Sequence, residues 1–167
     1  MKPQIGDILA VRGVKWYSTA ICWATRGEVS HVGLVVADDP PLVMEALKRV
    51  TTRPFEQSIA ESSIAYLIKP NVDRETRRRI VRAMSQSSAV SYNYWHIVLL
   101  GLDLLLRTQL FTNNYRPGKR TICSVDVANA YASVGRRFGE PARGVTPQEI
   151  LSYARANPKQ FSIEKVL

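Results

Sequence analysis

From residue 31 the chain runs His-Val-Gly-Leu-Val-Val, breaks at Asp38-Asp39-Pro40-Pro41, and resumes as Leu42-Val43-Met44-Glu45-Ala46. Two short β-prone runs split by residues that favour tight turns predict an antiparallel hairpin. A fold containing this hairpin must build a sheet around it. In such a hairpin His31 and Glu45 face each other across neighbouring strands.

The flanking segments extend this picture. Ile5 to Val11 reads as a strand and Trp16 to Thr25 as a helix closed near Gly27. Val50 to Thr52 and Ala65 to Ile68 are expected as edge strands. Asp73 precedes a basic stretch, Arg74 to Gln86, and is suited to cap it as a helix. Arg74, Arg77, Arg78 and Arg82 recur there at helical spacing, which predicts a solvated basic face, with a specific anion site as the other reading. The second half is more helical, with Tyr94 to Arg107, Ser124 to Val134 and Thr146 to Ala156. Thr146-Pro147-Gln148-Glu149 combines a capping residue, a proline at the first helical position and a glutamate that can reach back. Strands cluster early and helices late, so the class is α+β. A chain of 167 residues, 46% hydrophobic, is expected to form one domain over residues 1–167.

Composition narrows the chemistry. With 23 Lys and Arg against 14 Asp and Glu, the net charge of +9 favours anionic partners such as phospholipid headgroups, cell-wall polymers or nucleic acid. The aromatics Trp16, Tyr17, Trp23, Tyr92, Tyr94 and Trp95 do not interleave with the arginines as a base-stacking surface would, so no specific nucleic-acid partner is expected. The run Ile97 to Leu102, interrupted by Asp103 before Leu104-Leu105-Leu106, is too short and too charged to span a bilayer. It reads as a core helix, or as one contacting a membrane or acyl chain. The start, Met1 to Asp7, lacks the apolar core and cleavage site of a signal peptide, so a cytoplasmic location is expected, with a non-classical export route left open. No glycine-rich phosphate loop is present. Two histidines and two dispersed cysteines lack zinc-ligand spacing, so neither metal nor cofactor is expected.

Those two cysteines are too few for a disulfide framework and read first as free thiols. Cys22 lies inside Ala20-Ile21-Cys22-Trp23-Ala24, where a cysteine behaves as a small buried hydrophobe. Cys123 lies instead at the junction of Arg120-Thr121-Ile122 and a helix beginning near Ser124. There the helix dipole and unpaired N–H groups stabilise a thiolate. Cys123 is therefore the candidate nucleophile. His31, on its apolar strand, is a better candidate base than His96, which follows Tyr94-Trp95 at a helix start. Glu45 is the candidate that orients the imidazole.

These segments resemble a known family. The order Gly6-Asp7-Ile8-Leu9, Ser30-His31-Val32-Gly33-Leu34-Val35, Met44-Glu45-Ala46, Ser91-Tyr92-Asn93-Tyr94 and Ile122-Cys123-Ser124 is similar to the circularly permuted NlpC-type papain-like proteins. These include the YiiX-like bacterial proteins and are related to the lecithin retinol acyltransferase group. The resemblance implies a small antiparallel barrel-like sheet packed on helices, with histidine ahead of cysteine in the chain. It also implies Cys123 as nucleophile, His31 as base and Glu45 as the polar third member, with Tyr92 or Tyr94 near the oxyanion. Many relatives carry an acid directly after Cys-Ser, whereas here Val125 stands there and Asp126 follows.

The expected chemistry is attack of the Cys123 thiolate on an amide, ester or thioester of a peptide, cell-wall fragment or lipid, through an acyl-enzyme. The alternative is a non-catalytic protein that holds a lipid or anionic polymer on the same fold. The sequence leaves substrate, oligomeric state and the choice of tyrosine open.

Overall fold

The computed structural model describes residues 2–46, 50–87, 91–92, 120–121, 123–138 and 145–167. The expected hairpin forms its centre. Strands β2 (His31–Asp38) and β3 (Pro41–Ala46) pair antiparallel around a turn containing a cis Asp39–Pro40 peptide. β1 (Ile8–Gly13) lies against β2, and β4 (Val50–Pro54) against β3. β5 (Ser62–Pro70) pairs with β1, and β8 (Phe161–Lys165) closes the far side, so the order is β4-β3-β2-β1-β5-β8, antiparallel throughout. β4 is an edge as expected, but β5 is interior because the C-terminal strand covers it. The sheet is open: among the described residues its edges β4 and β8 do not pair, so no barrel closes. A short parallel pair, β6 (Ser91–Tyr92) with β7 (Arg120–Thr121), stands apart from it.

Each face of the sheet buries its own set of side chains. Ile8, Ala10, Val32, Leu34 and Ile68 pack under α3 (Arg74–Ser87), α4 (Cys123–Ala132) and α5 (Pro147–Ala156). Leu9, Val11, Val35, Val43, Ala65 and Leu67 point the other way, onto Phe55 of the short α2 (Phe55–Ala60). This alternation follows from the two-residue period of a strand, and both faces are covered. Helix α1 (Trp16–Ala24) lies beside β1. It closes through Arg26, which takes the positive φ of 50° expected of a glycine there, while the Gly27 N–H donates to the Cys22 carbonyl.

The capping signals act as read. Asp73 Oδ1 accepts the Thr76 N–H at 2.9 Å at the start of α3. Thr146 and Glu149 form a reciprocal capping box on α5. The basic face of α3 is only partly solvated. Arg77 turns inward, pairs with the buried Asp7, and donates to the carbonyls of Ile5 and Pro70. Arg77 thus ties α3 to the N-terminal segment and to the end of β5, giving the buried Asp7 carboxylate a charged donor. Tyr131, Phe138, Tyr153 and Phe161 interlock with ring centroids 5.1–6.3 Å apart, fixing α4, α5 and β8 together. No helix among the described residues is long and apolar enough to cross a membrane. The expected helix Tyr94 to Arg107, with Tyr94 and His96, lies outside the described residues.

Candidate active site

The site starts from strand register. Gly33 stands directly opposite Glu45, and His31 lies two residues before Gly33 on the same face. His31 and Glu45 are therefore diagonal neighbours rather than a directly opposed pair, within reach of long side chains. Gly33 makes the approach possible. A Cβ there would lie 2.8 Å from Glu45 Cγ, 2.6 Å from Val43 Cγ1 and 3.1 Å from the Met44 carbonyl oxygen. The missing side chain is the space in which the Glu45 side chain lies. His31 Nε2 faces Glu45 Oε1 at 3.6 Å, an ion-pair distance rather than a hydrogen bond.

The other carboxylate oxygen, Oε2, accepts from Arg53 Nε and, at 3.2 Å, from the Ser58 hydroxyl. Arg53 is opposite Val43 on β4, again diagonal to Glu45. His31, Glu45 and Arg53 thus cross three adjacent strands on one sheet face. Arg53 continues to Glu61, 2.7 Å away at the surface. Glu45 is fully buried, and burial alone would raise its pKa. His31 and Arg53 outweigh that and hold it below the usual carboxylate value.

Cys123 is the first residue of α4 and is buried. The Ser124 hydroxyl anchors this helix start by donating to the Val145 carbonyl at 2.6 Å. The sulfur lies in hydrogen-bonding contact with His31 and with the backbone N–H groups of Val32 and Ser124. With Nε2 turned to Glu45, Nδ1 is the ring nitrogen left for the thiol. Burial raises the Cys123 pKa, but the His31 charge, its hydrogen bond and the two amides lower it below the ordinary thiol value. Burial likewise works against a charged His31. The thiolate overcomes it first and Glu45 second, and the His31 pKa is pushed up to about 10. Both shifts act in the same direction, favouring the proton on the imidazole over the thiol. Cys22 behaves oppositely, its pKa raised chiefly by burial.

The three residues proposed from sequence therefore meet at one point, although 92 positions separate His31 from Cys123. Tyr92 lies in β6 and is described only by its backbone; Tyr94 lies outside the described residues. Sequence reasoning missed Arg53, Ser58 and the role of Gly33. An arginine in the strand after the glutamate was a signal for the first, usable only once the β3–β4 register is known.

No protein-family model matches the chain, and neither does any curated protein. Among solved structures, one described as the crystal structure of metalloprotein YiiX from Escherichia coli O157:H7 aligns with a TM-score of 0.71. It covers 98% of this chain and 97% of that one at 19% identity. The likeness is one of fold. This chain has the mixed α/β architecture of YiiX, a six-stranded antiparallel sheet with helices. That neighbour's description speaks of a metal; among the described residues of this chain no three His, Cys, Asp or Glu side chains are placed to hold a metal ion.

Proposed function

We propose that the chain is a cysteine-dependent hydrolase or acyl transferase built on a circularly permuted papain-like fold of the NlpC type, related to the lecithin retinol acyltransferase group. The observation that carries this reading is the buried thiol beside a charged imidazole, itself backed by a carboxylate. A thiolate is the reactive form of cysteine, and a positioned imidazolium is both its counter-ion and a general acid.

In this mechanism the Cys123 sulfur adds to the carbonyl carbon of an amide, ester or thioester. The oxygen becomes an oxyanion, for which the Ser124 N–H at the start of α4 is the donor we assign. As the tetrahedral intermediate collapses, His31 gives its proton to the leaving amine, alcohol or thiol, and a thioester remains on Cys123. His31, now neutral, takes a proton from water or from an acceptor alcohol or amine, which attacks the thioester and restores the thiolate. Glu45 holds the ring and stabilises its charged form throughout. Peptide, cell-wall fragment and lipid acyl substrates all suit this chemistry.

The test is to mix the protein with a panel of p-nitrophenyl acyl esters and follow both nitrophenol release and intact mass. Support would be a burst of nitrophenol and an acyl adduct mapped to Cys123, both lost in Cys123→Ser and in His31→Ala. Acylation that is absent, or equal on Cys22 and Cys123, would leave a lipid- or polymer-binding protein as the better account.

A further inference from the structure

Helix α1 leaves its two largest apolar side chains, Trp16 and Trp23, in solvent. A surface helix ordinarily turns its apolar stripe inward and its polar residues to water. Here the buried positions are Ser18 and Cys22, while Trp16, Thr19, Ala20 and Trp23 face outward. Trp16 is 81% exposed and Trp23 69%, with Val14 at 66% just before the helix. Three of the four large exposed hydrophobic residues among the described residues therefore fall within residues 14–23, the fourth being the terminal Leu167. The two tryptophans lie seven residues apart, about 10 Å along the axis on one side of the helix.

Charge identifies the occupant. From Arg12 to Gly27 there is no acidic residue, and the exposed Lys15 and Arg26 bracket the tryptophans at the two ends of the helix. The nearby acids are engaged elsewhere, Glu61 with Arg53 and Glu28 with Arg155 and Tyr66. Tryptophans in line with cations at both ends match a bilayer surface. The indoles sit at headgroup depth and the cations meet anionic lipid. We infer that the outward face of α1, carrying Val14, Trp16 and Trp23 between Lys15 and Arg26, docks the protein on an anionic membrane surface.

This inference does not rest on the thiol chemistry, and its test reads binding alone. The full chain is floated with vesicles of phosphatidylcholine and with vesicles in which about a quarter of the lipid is phosphatidylglycerol. The expected result is flotation with the anionic vesicles, falling as salt rises. Trp16→Ser/Trp23→Ser should weaken it about tenfold or more, since each indole offers roughly 200 Å² of contact area. Lys15→Glu/Arg26→Glu, which leaves both tryptophans in place, should also weaken it and remove the salt dependence. All four side chains are exposed, so both variants should melt with the wild type. Unchanged flotation in the tryptophan variant would overturn the inference. So would a failure of the wild type to float, or a dimer in solution that the tryptophan substitutions make monomeric, which would assign the face to a second copy of the chain.

Discussion

Replacing Arg53 with methionine isolates the group that holds the buried carboxylate without touching thiol or imidazole. Arg53 Nε meets Glu45 Oε2 at a carboxylate that is fully buried, while the arginine side chain is 14% exposed. Removing one partner of a buried ion pair costs about 3–5 kcal/mol, because the other charge is stranded. Here the loss is smaller. Glu45 keeps the Ser58 hydroxyl and the His31 charge, and the methionine still fills the arginine stem, so about 2–3 kcal/mol is expected. For a protein of this size that is a fall in Tm of about 4–12 °C. Glu61→Gln cuts the same network at its other end, where Glu61 is 54% exposed, and should cost no more than about 1 kcal/mol. Thermal melts of both variants beside the wild type at neutral pH decide the matter. If Arg53→Met and Glu61→Gln melt together, Arg53 is an ordinary surface cation and the argument for a clamped Glu45 is wrong.

Gly33→Ala should destabilise by about 1–3 kcal/mol, because its methyl overlaps Val43 and Glu45; an unchanged urea midpoint would contradict the close approach. The ion pair also dictates a stability profile. His31, raised, contributes stability fully present below its ordinary 6.5 and lost as pH rises through about 10. Cys123, lowered, contributes stability present above its ordinary 9.0 and lost as pH falls through its folded value. The two slopes cancel in between. The stability difference between wild type and Cys123→Ala/His31→Ala should therefore be flat between about 6.5 and 9 and decline on either side; a difference that climbs steadily across that window would sink the coupled assignment. Cys22, raised by burial, should alkylate only at higher pH than a free thiol, and identically in His31→Ala; peptide mapping reads both.

What was legible in the sequence was mostly local. The hairpin announces itself because four turn-forming residues split two β-prone runs, and the starts of α3 and α5 because Asp73 and Thr146 stand at the right offset from their targets. Cys123 could be separated from Cys22 because one lies before an apolar helical stretch and the other inside one. The features that escaped depend on long-range pairing. β8 is five residues at the end of the chain, and missing it made β5 look like an edge. α2 is six residues, too short to persist without burying Phe55 and Ser58. Arg77 shares its spacing with solvated arginines and differs only in having Asp7 and two carbonyls within reach after folding. Arg53 joins the site only through the β3–β4 register, which no local signal specifies.

The central claim is that Cys123 and His31 share a proton that resides on the imidazole. Thiolate absorbance in the ultraviolet measures this without requiring a reagent to reach a buried sulfur. The titration is run on the wild type, Cys123→Ser and His31→Ala, and the Cys123→Ser curve is subtracted to remove Cys22. The account predicts a Cys123 thiolate already formed well below the ordinary thiol pKa of 9.0, and its disappearance from that range in His31→Ala. A Cys123 curve that rises near or above that value, and does not move when His31 is removed, would contradict it.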